Sequence, residues 1–244
     1  MKLIGIDSSG LVASVAIMDD AKLVAEYTIN NKKTHSQTLL PMLEEIVRMA
    51  EFSLSEMDAI AIAAGPGSFT GLRIGSATAK GLGLALSKPI VPVSTVDALA
   101  YNLYGTDRIV CPIMDARRNQ VYTGVYEYIR QAGEQSTYQE FELHVLKEAC
   151  AVPIEEITEA LNEIGREVVF LGDGVPVFAE QLQGLMKVPY SFAPAHLSLQ
   201  KAGCVAALGM KKFKVGQFES AAEHSPEYLR LSQAERERKE AGLL

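Results

Sequence analysis

The stretch Gly65-Pro66-Gly67-Ser68-Phe69-Thr70-Gly71 runs into a helical pattern and is the part of this sequence best suited to meet an anion. Free N–H groups and the helix dipole favour negative charge at such a place. Arg73 falls in the first turn of that helix, where it can reach a ligand or hold the loop. The stretch is not a Walker loop: its sixth position is Thr70 instead of glycine, no Lys-Ser/Thr pair follows, and the nearest lysine is Lys80. An anion cradle and a structural loop therefore stand side by side for Gly65, Gly67, Ser68, Phe69, Thr70 and Arg73. Two further turns carry acids, Asp7-Ser8-Ser9-Gly10 and Asp115-Ala116-Arg117-Arg118. The first, with Asp7 and Ser8, has the small residues that close backbone approach to a phosphate favours; the second has bulky arginines there. The roles of Arg73, Arg117 and Arg118 stay open at this point.

Other chemistries lack sequence support. The histidines His35, His144, His196 and His224 form no HxxxH or HExxH pair, so a helix-borne metal site is without its usual pattern. His144 alternates within a strand-like run and reads as an outward polar residue. No GxSxG serine elbow occurs. The three cysteines, Cys111, Cys150 and Cys204, are odd in number and lack CxxC spacing, which fits a reducing compartment better than a disulfide framework. The tail from Ala234 to Glu240 mixes charges at helical spacing and reads as a solvated helix.

The elements that must position these residues fall into two similar halves. Strand patterns at Lys2–Asp7, Leu11–Met18 and Lys22–Ile29 precede a helical stripe through Leu39, Leu43 and Ile46. Pro41 has no N–H, which predicts that the regular helix begins near Thr38. A strand at Ala59–Ala64, a helix ending near Leu86, a strand at Ile90–Val93 and a helix capped by Ser94 and Asp97 complete the first half. The β-rich opening then recurs with Arg108–Met114, Gln120–Ile129 and an alternating run through Phe141, Leu143 and Val145. Helical and strand patterns follow in turn to a last helix over Ser198–Lys211. Each half opens on an apolar strand ending in Asp, Asp7 or Asp115. This predicts an α/β protein of two βββαβα-type subdomains related by internal duplication, which at the level of fold resembles the actin-like and Hsp70-like (ASKHA) ATPase arrangement and fixes no function. The expected boundaries are 1–105, 106–225 and a tail over 226–244.

Composition agrees with a folded chain. At 244 residues, 48% hydrophobic and 22% charged, it has material for one large or two compact domains and is unlike a disordered sequence. A formal charge of −7 argues against a surface that itself grips a polyanion. The acidic Asp7 ends the apolar start too early for a signal peptide, and no window approaches a membrane span, so a cytoplasmic location is expected.

Gly71, Gly75, Ala79 and Gly83 recur every four residues and form a ridge almost free of side chains. Each helical glycine costs about 1 kcal/mol against alanine, so the ridge predicts close packing by another helix of this chain or of a partner.

Four motifs converge on one family. Ile6-Asp7-Ser8-Ser9, His35-Ser36-Gln37, the run from Gly65 to Gly75, and Pro226-Glu227-Tyr228-Leu229-Arg230 with Gln233-Ala234-Glu235 closely resemble the TsaB (YeaZ) family along essentially the whole chain. The family pattern usually reads Asp-Thr-Ser where this chain has Asp7-Ser8-Ser9, which keeps a hydroxyl. The resemblance implies a bacterial protein needed to make threonylcarbamoyladenosine beside the anticodon of tRNAs that read codons starting with A. It implies a non-catalytic subunit that binds TsaD, with the ATPase TsaE joining the pair. ATP and metal would then belong to TsaD, ATP also to TsaE, and no cofactor to this chain. It further implies that the helices over Thr38–Ala50 and Leu72–Leu86 form a two-helix face for TsaD or for a second copy. Its expected residues are Thr38, Met42, Glu45, Met49, Leu72, Gly75, Ser76, Ala79 and Gly83, with tRNA met only through the complex. Two other classes compete with that subunit: a self-sufficient ATP-dependent transferase or kinase, and a metalloprotease.

Overall fold

The computed structural model describes residues 1–31, 34–131 and 140–230. Ten strands form two five-stranded sheets. β1 (Lys2–Asp7), β2 (Ala13–Asp19), β3 (Lys22–Ile29), β4 (Ala59–Gly65) and β5 (Ile90–Ser94) are arranged in the order β3-β2-β1-β4-β5. β6 (Ile109–Asp115), β7 (Gln120–Arg130), β8 (Phe141–Pro153), β9 (Val168–Leu171) and β10 (Tyr190–Phe192) are arranged as β8-β7-β6-β9-β10. Renumbered from its own first strand, the second order is the first one again. In each sheet the opening strands pair antiparallel and the last two join in parallel. This is the duplicated, actin-like architecture that the sequence predicts.

Among the described residues, six α-helices cover the sheets: α1 (His35–Met49), α2 (Phe69–Leu86), α3 (Thr95–Ala100), α4 (Ile154–Ile164), α5 (Val175–Leu185) and α6 (Ala202–Lys214). α1 begins three residues before the position that Pro41 suggests. The proline leaves the Gln37 carbonyl without its helical donor, and Gln37 is exposed, so water can serve that oxygen. Ser94 caps α3 as expected, accepting from the Asp97 N–H. The charged tail from residue 231 lies outside the described residues.

Period-two alternation divides each sheet between two cores. In β4, Ile60 and Ile62 meet α1 and α2, while Ala59, Ala61 and Ala63 face α6. The small face lets α6 come so close that a Cβ on Gly209 would overlap Ala61. In β6, Ile109, Cys111 and Ile113 meet α4 and α5, while Val110 and Met114 face α3. The last helix of each half thus packs on the sheet of the other: α6 on the first, α3 on the second. The Tyr126 hydroxyl donates to Asp97 at 2.7 Å and the Tyr128 hydroxyl to the Ala100 carbonyl at 3.0 Å, which fastens α3 to β7. A division at residue 105 therefore separates the two sheets but cuts through both packed cores. No helix among the described residues is long and apolar enough to cross a membrane.

Exchanged helices are expected to make the two halves unfold as one cooperative unit. Leu99→Ala, at a fully buried position of α3, is expected to cost about 2–5 kcal/mol in a single urea transition reported alike by far-ultraviolet circular dichroism and tyrosine fluorescence. Two separated transitions would contradict the coupling.

Candidate functional site

The C-terminal ends of β1 and β6 carry the two acids that open the duplicated halves. Asp7 is fully buried at the end of β1, and its Oδ1 accepts from the Ser9 N–H at 2.9 Å and the Ser9 hydroxyl at 2.6 Å. Its Oδ2 has no hydrogen-bond partner among the described residues. Burial pushes the carboxyl up from 3.8 to about 6, against the opposing pull of the two Ser9 bonds and of His35. His35, at the start of α1, bonds the Gly10 carbonyl through Nε2 at 2.9 Å and so ties the turn to that helix. On the other side the buried Gln200 amide lies against Gly10, where a Cβ would meet it. Neither amide atom has a partner among the described residues.

The glycine stretch between β4 and α2 closes over this turn. Ser68 donates its N–H to the Ser9 carbonyl at 2.8 Å, and the Ser8 hydroxyl donates to the Gly71 carbonyl at 2.9 Å. A Cβ on Gly67 would overlap the Ser9 carbonyl, one on Gly71 the Ser8 carbonyl, and one on Gly75 the Ser8 hydroxyl. The Ser68 side chain caps the helix by accepting from the Gly71 N–H at 3.3 Å. The loop backbone is packed on the Asp7 turn and bonded to it.

The equivalent turn of the second half is built differently. Arg117, Arg118 and Asn119 all take left-handed backbone angles, with φ of 63°, 57° and 58°. Asp115 accepts from the Arg117 N–H at 2.8 Å and pairs with its guanidinium at 3.0 Å. Behind it, Asp173 of the Gly172-Asp173-Gly174 turn accepts from the Asp115 N–H at 3.3 Å. Burial pushes the Asp173 carboxyl up to about 6, against the opposing pull of the bond from the Asp115 N–H. By topology this β9–α5 turn matches the glycine stretch between β4 and α2. Among the described residues, no three of His, Cys, Asp and Glu are grouped to hold a metal ion.

The sequence profile of the family described as "TsaD: tRNA N6-adenosine threonylcarbamoyltransferase" matches residues 22–238. The protein described as "tRNA threonylcarbamoyladenosine biosynthesis protein TsaB" of Bacillus subtilis is 32% identical over 237 residues, 96% of each chain. The chain belongs to the TsaB (YeaZ) family. Its counterpart of the same description in Haemophilus influenzae is 32% identical over 67% of this chain and 69% of its own. A solved structure, YeaZ from Pseudomonas aeruginosa, is 28% identical with a TM-score of 0.76, covering 93% of this chain and 99% of that one.

In this TsaB-family chain the small-residue ridge of α2 is turned toward the chain's own interior. Gly71 and Gly75 lie on Ser8, Ala79 is in the first core, and Gly83 lies on Ala221. Seven residues expected at a partner face, Thr38, Met42, Leu72, Gly75, Ser76, Ala79 and Gly83, are buried within the chain. Glu45 is half-buried and Met49 is exposed. The surface of α2 is its opposite side, where Arg73, Ala77, Gly81 and Leu84 are exposed. Substitution at the ridge therefore tests folding. Phe69 is half-buried and Thr70 exposed. Arg73 reaches the Tyr228 hydroxyl through Nε at 3.2 Å, while Arg118 is exposed. Asp173 and Gln200 joined the site without being expected there. The glycines on either side of Asp173 are the sequence signal that could have marked that turn, whereas Gln200 has no local signal.

Two measurements follow from these contacts. Gly71→Ala is expected to lower stability by about 1–3 kcal/mol because the Ser8 backbone cannot move aside. Gly81→Ala, with nothing within 4 Å, is expected to raise it by about 0.5–1 kcal/mol; urea denaturation of both variants checks the contrast. Asp7 is favoured in its neutral form when folded, so its contribution is unimpaired below pH 3.8 and is progressively lost as pH rises through about 6. Asp7→Asn keeps the acceptor for Ser9 without the charge. It is expected to be more stable than wild type by roughly 2–3 kcal/mol at pH 7.5, with the gap closing toward pH 4; a gap independent of pH would contradict the burial argument.

Proposed function

We propose that this chain is a non-catalytic subunit that binds TsaD and supports threonylcarbamoyl transfer to the adenosine beside the anticodon, with TsaE joining the pair. TsaD carries the transfer chemistry, and tRNA is met through the assembly. The observation that carries this reading is the filling of the Asp7 turn by the chain's own groups. In an ATPase of this architecture that turn must offer backbone to a phosphate. Here Ser68 and Gly67 close over Ser9 from one side, and the Gln200 amide lies on Gly10 from the other. In the second half, three left-handed residues replace the glycines that close approach to phosphate favours. These residues do not fit a nucleotide phosphate, and ATP and metal are assigned to the partner subunits. Family membership supports the pathway, since relatives named TsaB are described as threonylcarbamoyladenosine biosynthesis proteins.

The docking face in this reading is the outer side of the α1–α2 pair. Along α2 the exposed Ala77 and Gly81 leave a shallow, nearly side-chain-free surface flanked by Arg73 and Leu84, which suits close approach of a partner helix. Met49 adds exposed apolar surface on α1. The same face accommodates a second copy when TsaD is absent.

Ala77→Arg is expected to leave the thermal midpoint unchanged, because the side chain points to solvent, and to reduce co-purification with TsaD at least about tenfold, a loss of about 1.4 kcal/mol. Full retention of TsaD by the folded variant would remove this face from the proposal.

A further inference from the structure

Among the described residues, the stretch after α6 has one isolated bridge to β5 and no other strand or helix, yet it is fastened at every few residues. Glu219 exchanges both backbone bonds with Ile90 at 2.9 Å, and Ala221 is buried against Gly83. Lys80 of α2 donates to the carbonyls of Ala222 at 3.0 Å and His224 at 2.7 Å. His224 is buried and bonds Glu219 through Nδ1 at 2.6 Å. Beyond this anchor the character changes. Glu227 donates its N–H to the Ala64 carbonyl at 2.8 Å, and its own carbonyl fills the space of a Cβ on Gly65. The Tyr228 ring stacks on Phe69 at 4.8 Å, with Arg73 on its hydroxyl. Arg230 then crosses to the second half and donates to the carbonyls of Ala116 and Arg117 at the β6–β7 turn.

The segment therefore has a buried anchor and an exposed tip: Tyr228 is 41% and Leu229 42% accessible, against 1% for His224. Segments with few buried contacts open locally at small cost while the rest stays folded. α3 and α6 join the two halves through their cores, and residues 227–230 join the glycine loop to the β6–β7 turn at the strand ends.

We propose that residues 225–230 are a releasable latch between the two halves, hinged at His224, whose tip opens as one unit and loosens the glycine loop and the β6–β7 turn together. Tyr228 touches the first half and Arg230 the second, so cutting either contact should be felt at the other end. Coupling of this kind is reciprocal.

Hydrogen–deuterium exchange on the full chain tests it, with Tyr228→Ala, Arg230→Ala and, as a control at an exposed neighbour, Leu229→Ala. Tyr228→Ala is expected to speed exchange at Ala116 and Gln120, which it does not contact, by roughly tenfold. Arg230→Ala is expected to do the same at Glu227 and Ser68. Amides of α1 and α4 should keep wild-type rates in both variants, and Leu229→Ala should match wild type throughout. Faster exchange confined to the half that lost its contact would overturn the latch, as would an equal effect from Leu229→Ala. If Tyr228→Ala does not fold, Tyr228→Phe, which keeps the stack and loses the Arg73 bond, carries the test with the same readout at a smaller amplitude.

Discussion

The contact on which this structure turns is the packing of the α2 ridge on the backbone of Ser8 and Ser9. Buried backbone polar groups must be paired, and the turn after β1 is buried because a helix lies directly over it. Small residues let that helix approach, and Ser68 and Ser8 supply the bonds that satisfy the carbonyls of Ser9 and Gly71. The same closeness buries Asp7. One packing solution thus explains the glycines and the buried acid.

Around that contact the duplicated architecture is asymmetric in use. Both halves repeat strand order and helix placement, and both end their first strand in an acid. The first half seals its turn with a glycine loop, while the second seals its turn with an arginine hairpin and the side chain of Arg230. The halves are tied at the core by exchanged helices and at the strand ends by residues 227–230. An ATPase of this architecture needs two facing turns free to hold phosphate between them. The asymmetry described here suits a chain that keeps the scaffold and offers its outer helices to another protein.

Most of the fold was legible because its signals are local. β3 and α5 begin where turn residues and apolar period place them, and the Ser94–Asp97 cap fixes α3. Recurrence of the strand pattern from Arg108 gave the duplication, since equal patterns bury equal faces. The helix start near Thr38 was misplaced because Pro41 forbids one hydrogen bond only, and an exposed carbonyl tolerates that loss. The small-residue ridge announced close packing correctly but not its partner, because residue spacing fixes a face and not what lies on it. Gln200 and Arg230 reach their turns over separations of more than a hundred residues, and no local pattern encodes that. Pro226 to Arg230 stood out as a motif, yet its work as a bridge appears only once both sheets are in place.

The account is tested most directly by the rate of threonylcarbamoyladenosine formation on tRNA with purified TsaD, TsaE and this chain, together and with each left out in turn. It predicts that the chain alone is inactive, that its omission stops or greatly slows the reaction, and that Asp7→Asn in this chain leaves the rate of the full assembly unchanged. Turnover by this chain alone at the rate of the assembly, abolished by Asp7→Asn, would contradict it.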